Sequence, residues 1–375
     1  MSEKRIKKAG ILSMQRIFNY GSFLQAFGLK SILEDIGCQV QFADYYPGEC
    51  LVSDNSEKGF SRKLSKAAEV MKSKAPLAEK LRFIRYKKNY AKNYYPYLGI
   101  DESLHYAPDV DLLVIGSDEV FNCVQDNPNV GFSPELFGVG QTAEKVISYA
   151  ASFGNTTMQK LEQYNVKDKV AGWLRELDAI SVRDANSGEI VKVLTGKDPV
   201  YNLDPVLMYD FVGKCSKIPS SVPETRYMVL YGYSNRFTEE ECRLIRQYAD
   251  KKGLKIFCIG GVQSCCDKFI DCDPFTVIAY FQHADKVVTD TFHGTILSVI
   301  THRDFVSIVR SSGYGNSEKL IDLLSRLRLT NRKIDTLNDI SSLMDKSIDY
   351  SVTDSIIKEE REKTYSYLRS FISAR

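Results

Sequence analysis

No stretch of the sequence approaches the ~18 consecutive apolar residues that cross a bilayer, and the basic start, residues 1–9, is followed by an apolar run too short for the centre of a signal peptide. A cytoplasmic protein is therefore expected. A surplus of one charge is also missing, because 50 Lys and Arg stand against 48 Asp and Glu, a formal +2. Without such a field, and with no nucleic-acid-binding module legible, no nucleic-acid partner is expected. No low-complexity tract suggests extended disorder. Nine cysteines, an odd number, are scattered through apparent strands and helices, as reduced and mostly buried thiols would be. Their one cluster, Cys258, Cys265, Cys266 and Cys272, lacks paired Cys-x-x-Cys spacing and a nearby histidine, so no metal is expected. Gly138-Val139-Gly140 lacks the third glycine and the preceding strand of a dinucleotide fingerprint, Gly260-Gly261 reads as a turn, and nothing argues for NAD.

What is present is a regular alternation of short β-branched runs and amphipathic stretches. The chain, at 375 residues, exceeds the roughly 250–300 residues at which single cores stop growing, so two α/β domains with a cleft between them are predicted. Strands are predicted over 9–13, 39–45, 111–115, 145–150, 179–183 and 199–203, and a helix over 22–36 makes the opening βαβ. Gly213, Pro219, Ser220, Ser221 and Pro223 then break the periodicity and mark a linker. A second series follows, with strands over 227–231, 254–259, 286–289 and 305–308 and helices over 239–251, 275–282 and 295–300. Both series suit mainly parallel, doubly wound sheets. Residues 353–373 read as a closing amphipathic helix, with Ile356, Ile357, Tyr365, Leu368 and Ile372 near one face, able to pack back across both domains.

Chemistry is expected where predicted strands run into helices. The loop Phe18-Asn19-Tyr20-Gly21-Ser22 puts backbone N–H groups at the carboxyl end of the first sheet, a place that favours polar or anionic ligands; Ser22 serves equally as a plain N-cap, with Asn19 and Gly21 making the turn. In Gly116-Ser117-Asp118-Glu119 the small glycine permits close approach, and Ser117 and Asp118 bind a ligand hydroxyl or cap the next turn. Arg183 brings a planar fork suited to carboxylate or phosphate to a strand end, unless it only pairs with Asp184. The strongest signal is Thr289-Asp290-Thr291-Phe292-His293-Gly294-Thr295, a buried strand leading into a turn and an apolar helix. A helix N-terminus disfavours an imidazolium and a bound anion favours it, which suits a histidine there to proton transfer; the alternative is a structural turn histidine. Thr289, Asp290 and Thr291 could cap the helix, and Gly294 lets substrate or backbone come close. His105, His283 and His302 read as structural.

Taken together, FNYGSFLQAFGLKSILEDIG, DVDLLVIGSDEVFN, SYAASFG, ISVRDANSGEIV, LDPVLM and ADKVVTDTFHGTILSVI resemble the polysaccharide pyruvyl transferase family from Gly10 to about Arg332. The resemblance implies two Rossmann-like doubly wound domains in the GT-B arrangement of glycosyltransferases: residues 1–212 on the acceptor side with a basic helical insertion at 54–100, residues 213–350 on the donor side, and the closing helix at 351–375. It also implies phosphoenolpyruvate as donor and co-substrate, no other cofactor, no metal, and a sugar diol as acceptor in a bacterial surface, exopolysaccharide or capsular repeat unit. His293 then falls on the general acid, with Arg183 and Asp290 beside it. Arg183, Thr291, Phe292, His293, Gly294 and Lys319 become donor contacts, and Asn19, Tyr20, Gly21, Ser117 and Asp118 acceptor contacts.

The sequence departs from the family pattern at several points. Thr291 and Phe292 stand where some members carry an arginine, Lys319 stands for a later arginine as a point charge, and Glu119 and Phe121 replace the usual Gln and Trp. A nucleotide-sugar-dependent glycosyltransferase on the same fold and a non-catalytic saccharide-binding protein of polysaccharide assembly are the rival readings. Residues 61–92 hold eleven Lys or Arg against two Glu, interleaved with apolar residues. They read as a solvated helical face or as a surface touching anionic lipid, which would place the protein at the inner face of the membrane beside a lipid-diphosphate-linked acceptor.

Overall fold

The computed structural model describes residues 7–52, 70–71, 74–310 and 317–372. Its first sheet contains β1 (Lys8–Leu12), β2 (Gln39–Ala43), β3 (Leu112–Asp118), β4 (Lys145–Ala151), β5 (Ser181–Val182) and β6 (Val200–Tyr201), in the order β2-β1-β3-β4-β5-β6. The second contains β7 (Tyr227–Tyr231), β8 (Lys255–Ile259), β9 (Lys268–Phe269), β10 (Lys286–Thr289), β11 (Phe305–Ile308) and β12 (Lys333–Ile334), in the order β12-β11-β10-β7-β8-β9. Every pairing is parallel. Central strands such as LLVIGSD and YMVLY are buried almost throughout, as strands covered on both faces must be. The two-residue strands β9 and β12 are additions to the sequence reading, too short to show any periodicity.

In both sheets the strand order reverses, in the first between β1 and β3, in the second between β7 and β10. Such switch points open a crevice at the carboxyl ends of the strands. Helix α1 (Tyr20–Asp35) starts at the first crevice. It is capped by the Asn19 side chain, whose Oδ1 accepts from Ser22 N–H at 2.7 Å, so the capping role expected of Ser22 belongs to Asn19.

The basic insertion is described only at residues 70–71 and from Lys74 onward; residues 53–69 and 72–73 lie outside the described part. Its helix α2 (Leu77–Leu98) turns Phe83, Tyr86, Tyr90 and Tyr94 inward at three- and four-residue spacing. These residues join the two halves: the Tyr90 hydroxyl donates to the Asn19 carbonyl at 2.7 Å, Tyr94 donates to the Cys272 carbonyl at 2.8 Å, and Glu79 accepts from the β9 N–H of Phe269 at 2.6 Å. Among the helices of the second half, those nearest the crevice are α3 (Pro274–His283), α4 (Phe292–Ile300) and α5 (Ser317–Arg326). The closing helix α6 (Ser351–Ile372) starts against that half, where Thr353 donates to the Leu327 carbonyl, and ends on the first, where Tyr367 donates to the Ser148 carbonyl and Tyr365 to Asp35. No helix among the described residues is long and apolar enough to cross a membrane.

Candidate active site

The two crevices face each other across a cavity of about 220 Å³. Asn19, Tyr20, Asp118, Arg183, Thr291, Phe292, His293 and Lys319, all singled out in the sequence, line it. Gly21 is directly behind: a side chain there would run into the His293 ring, so the glycine lets a helix N-terminus of one half abut the imidazole of the other. His293 sits in the first turn of α4 with its side chain 15% exposed, open to the cavity rather than sealed in the core. Its Nε2 lies 3.6 Å from Oδ2 of Asp204, beyond hydrogen-bond length but within ion-pairing range of an imidazolium.

Asp204, within the LDPVLM stretch, was not singled out as a site residue in the sequence. It is fully buried and serves several partners at once, accepting from Arg183 Nη1 at 2.7 Å, Ser117 Oγ at 3.3 Å and Val206 N–H at 3.0 Å. Burial works against its ionisation, yet the neighbouring His293, then Arg183 and the Val206 N–H, outweigh burial and hold its pKa at about 2. Glu119 behaves alike, with burial opposed by its ion pair with Lys319 and by Arg183 and Asn122, leaving it at about 2. Arg183 is engaged with Asp204 and Asp118 rather than Asp184, and its guanidinium lies 4.5 Å over the Phe292 ring. The aromatic residue that replaces the expected arginine therefore cradles another arginine.

Ser117, Asp290 and Gly294 do not reach the cavity. Alternation along β3 turns Ser117 away from the side Asp118 faces, and its hydroxyl donates to the Ala150 carbonyl at 3.1 Å. Asp290 is fully buried and held by Arg236 Nε at 2.6 Å and Arg310 Nε at 3.2 Å, while Thr291, not Asp290, caps α4 by accepting from Gly294 N–H. Gly294 packs its helix turn against Thr289. Phe121 stacks on Phe137 at 4.9 Å in the core. His105, His283 and His302 are absent from the cavity wall. In their place the wall gains Tyr86 from α2, Gln125 and Asn127 from the loop after β3, and Gly260 after β8. Only the fold could reveal Tyr86 here, because its helix is remote in sequence from every other wall residue.

Three buried polar atoms on this wall have no hydrogen-bond partner: the Tyr86 hydroxyl, Arg183 Nε and His293 Nε2. Buried polar groups are almost always satisfied, so three such atoms on neighbouring residues mark this region as unusual for a protein interior.

Two parallel Rossmann-like halves with their strand ends converging on a shared polar cavity define a GT-B-type transferase architecture. Residues 19–312 match the Polysaccharide pyruvyl transferase family, and the chain belongs to that family. No curated protein matches the sequence. Among solved structures, the fold is similar to that of a Listeria monocytogenes protein described as a UDP-N-acetylglucosamine 2-epimerase (TM-score 0.51, 8% identity, covering 98% of this chain and 97% of that one). More distant matches include the glycosyltransferase SnogD from Streptomyces nogalater (TM-score 0.42, 10% identity, 98% and 100% covered) and a mutant Thermobaculum terrenum O-GlcNAc transferase (TM-score 0.40, 13% identity), of which this chain spans 64% while 98% of its own length is covered.

Proposed function

We propose that the protein is a ketal pyruvyltransferase that moves pyruvate from phosphoenolpyruvate onto two hydroxyls of a sugar, in a surface or capsular polysaccharide repeat unit carried on a lipid diphosphate. The observation that carries this reading is the meeting of an imidazole, a guanidinium and an ammonium on one cavity wall whose buried polar atoms are left unpaired. The cavity, about 220 Å³, has room for a donor as small as phosphoenolpyruvate.

In this reaction His293 protonates the methylene carbon of the enol, making C2 electrophilic. One sugar hydroxyl adds to C2, the C2–O bond to phosphate breaks, and the second hydroxyl closes the ketal. Of the two hydroxyl protons, one restores the imidazolium and the other leaves on phosphate. Arg183 and Lys319 meet the donor anions, for which they must exchange Asp118 and Glu119. Asp118, thus released, relays the second hydroxyl proton on its way to phosphate, and Gln125 and Asn127 offer amides to the sugar.

Calorimetry should show binding of phosphoenolpyruvate and not of nucleotide sugars. Mass spectrometry of a lipid-linked saccharide incubated with enzyme and donor should show a gain equal to pyruvate less one water, with one deuterium in the new methyl group when the reaction runs in D2O. A nucleotide sugar bound in place of phosphoenolpyruvate, with no such gain, would falsify the reading. Gly21→Ala should lower kcat by about 10²-fold by displacing the imidazole and lower the melting temperature, because the added methyl overlaps the His293 ring. Unaltered turnover would mean the contact with His293 is incidental.

A further inference from the structure

The outward face of α2 is chemically unlike the inward face that supplies Tyr86 to the cavity. Leu77, Leu81, Arg85, Lys88 and Lys92 are all exposed, and at 100° per residue they fall within an arc of about 80°. Leu77 and Leu81 are 59% and 55% exposed, and Met71 just before the helix is 42% exposed. The one acidic residue of the helix, Glu79, is buried and turned to β9. Of the three basic residues, Arg85 has a long contact of 3.8 Å with Asp271 and remains 72% exposed. The stripe is thus apolar in its first two turns and cationic in the next three.

We propose that this stripe is a docking surface for an anionic lipid bilayer, with Leu77, Leu81 and Met71 entering the headgroup boundary and Arg85, Lys88 and Lys92 lying against lipid phosphates. Charge complementarity selects the occupant, because a cationic and apolar stripe without exposed acid matches a surface that is itself anionic outside and apolar beneath. A solvated face would gain nothing from two leucines more than half exposed. The helix would place one wall of the cavity close to the membrane plane. That purpose rests on the reading of the acceptor as lipid-borne, whereas the docking itself does not.

The test uses the full chain and sedimentation with vesicles of phosphatidylcholine alone or mixed with phosphatidylglycerol, without donor or acceptor. Wild-type protein should bind the anionic vesicles and not the neutral ones, and binding should weaken in about 0.5 M salt, where the screening length falls to roughly 4 Å. Charge reversal at Arg85, Lys88 and Lys92 together should weaken binding by at least about tenfold. Leu77→Ser with Leu81→Ser should weaken it about tenfold, through the lost apolar burial. A wild-type melting temperature and circular dichroism spectrum confirm that each variant is folded, and neither readout depends on the reaction assignment. Equal affinity of the charge-reversed variant and wild type, absence of any preference for anionic vesicles, or capture of a soluble anionic polysaccharide in place of vesicles would each overturn the proposal.

Discussion

His293→Ala is expected to lower phosphate release from phosphoenolpyruvate, in the presence of acceptor, by about 10⁴-fold, the upper end of what a positioned acid contributes. The effect is placed at that end because protonation of carbon cannot be bypassed: without it C2 carries no positive character, and neither hydroxyl can add. The fold should survive. The imidazole is partly exposed to the cavity and makes no hydrogen bond through Nε2, so its removal empties a wall position without orphaning a partner. The pairing of lost turnover with a near-wild-type melting temperature is therefore the diagnostic result, and phosphoenolpyruvate affinity should change far less than kcat, since Arg183 and Lys319 remain. Full turnover by the variant would end the mechanism.

Asp204→Asn has the second large effect, and it acts through other residues. The carboxylate faces His293 on one side and Arg183 on the other. It touches no substrate in the proposed reaction; it positions the groups that do. Neutralising it leaves a buried guanidinium with part of its counter-charge gone, a change that typically destabilises by about 3–5 kcal/mol. Turnover should fall by roughly 10²-fold as imidazole and guanidinium lose their shared anchor.

A purely structural residue would lower stability without changing turnover in the folded protein, and here turnover should fall. Stability against pH provides a second check. Asp204 sits at about 2 in the folded protein, below the ~3.9 of an unperturbed aspartate. Its contribution to stability is therefore complete above about pH 4 and disappears as pH falls toward 2. Asp204→Asn should flatten the stability loss of the wild type across that window. Wild-type turnover in a folded Asp204→Asn variant would reduce Asp204 to a packing residue.

The parts of this site that were legible in the sequence are those whose position follows from local order. A histidine one residue inside a helix that follows a buried strand must lie at the carboxyl end of a parallel sheet, and Asn19, Asp118 and Arg183 obey the same logic. The expectations that fell short have the same local origin. Ser117, Asp290 and Gly294 sit in the right loops, but alternation along a strand and the pull of Arg236 and Arg310 turn them away from the cavity. Asp204 and Tyr86 were invisible for a different reason: the meaning of each depends on a partner far away in the chain. A tyrosine at helical spacing in a basic segment looks like any amphipathic face until the fold shows which loop it covers. The two sheets were readable from their buried strands, whereas β9 and β12, two residues each, offer no pattern to read.

The groups flanking the His293 ring, Gly21 and Asp204, both come from the amino-terminal lobe, while the ring belongs to the carboxy-terminal one. The imidazole is thus seated across a seam and not within either side alone. Were the lobes to separate, it would lose its supporting wall and its facing carboxylate together. Under the proposed chemistry, a gaping enzyme would be unable to squander its high-energy donor on water, and α2 and α6, each fastened to both lobes, would set how seldom that gap appears.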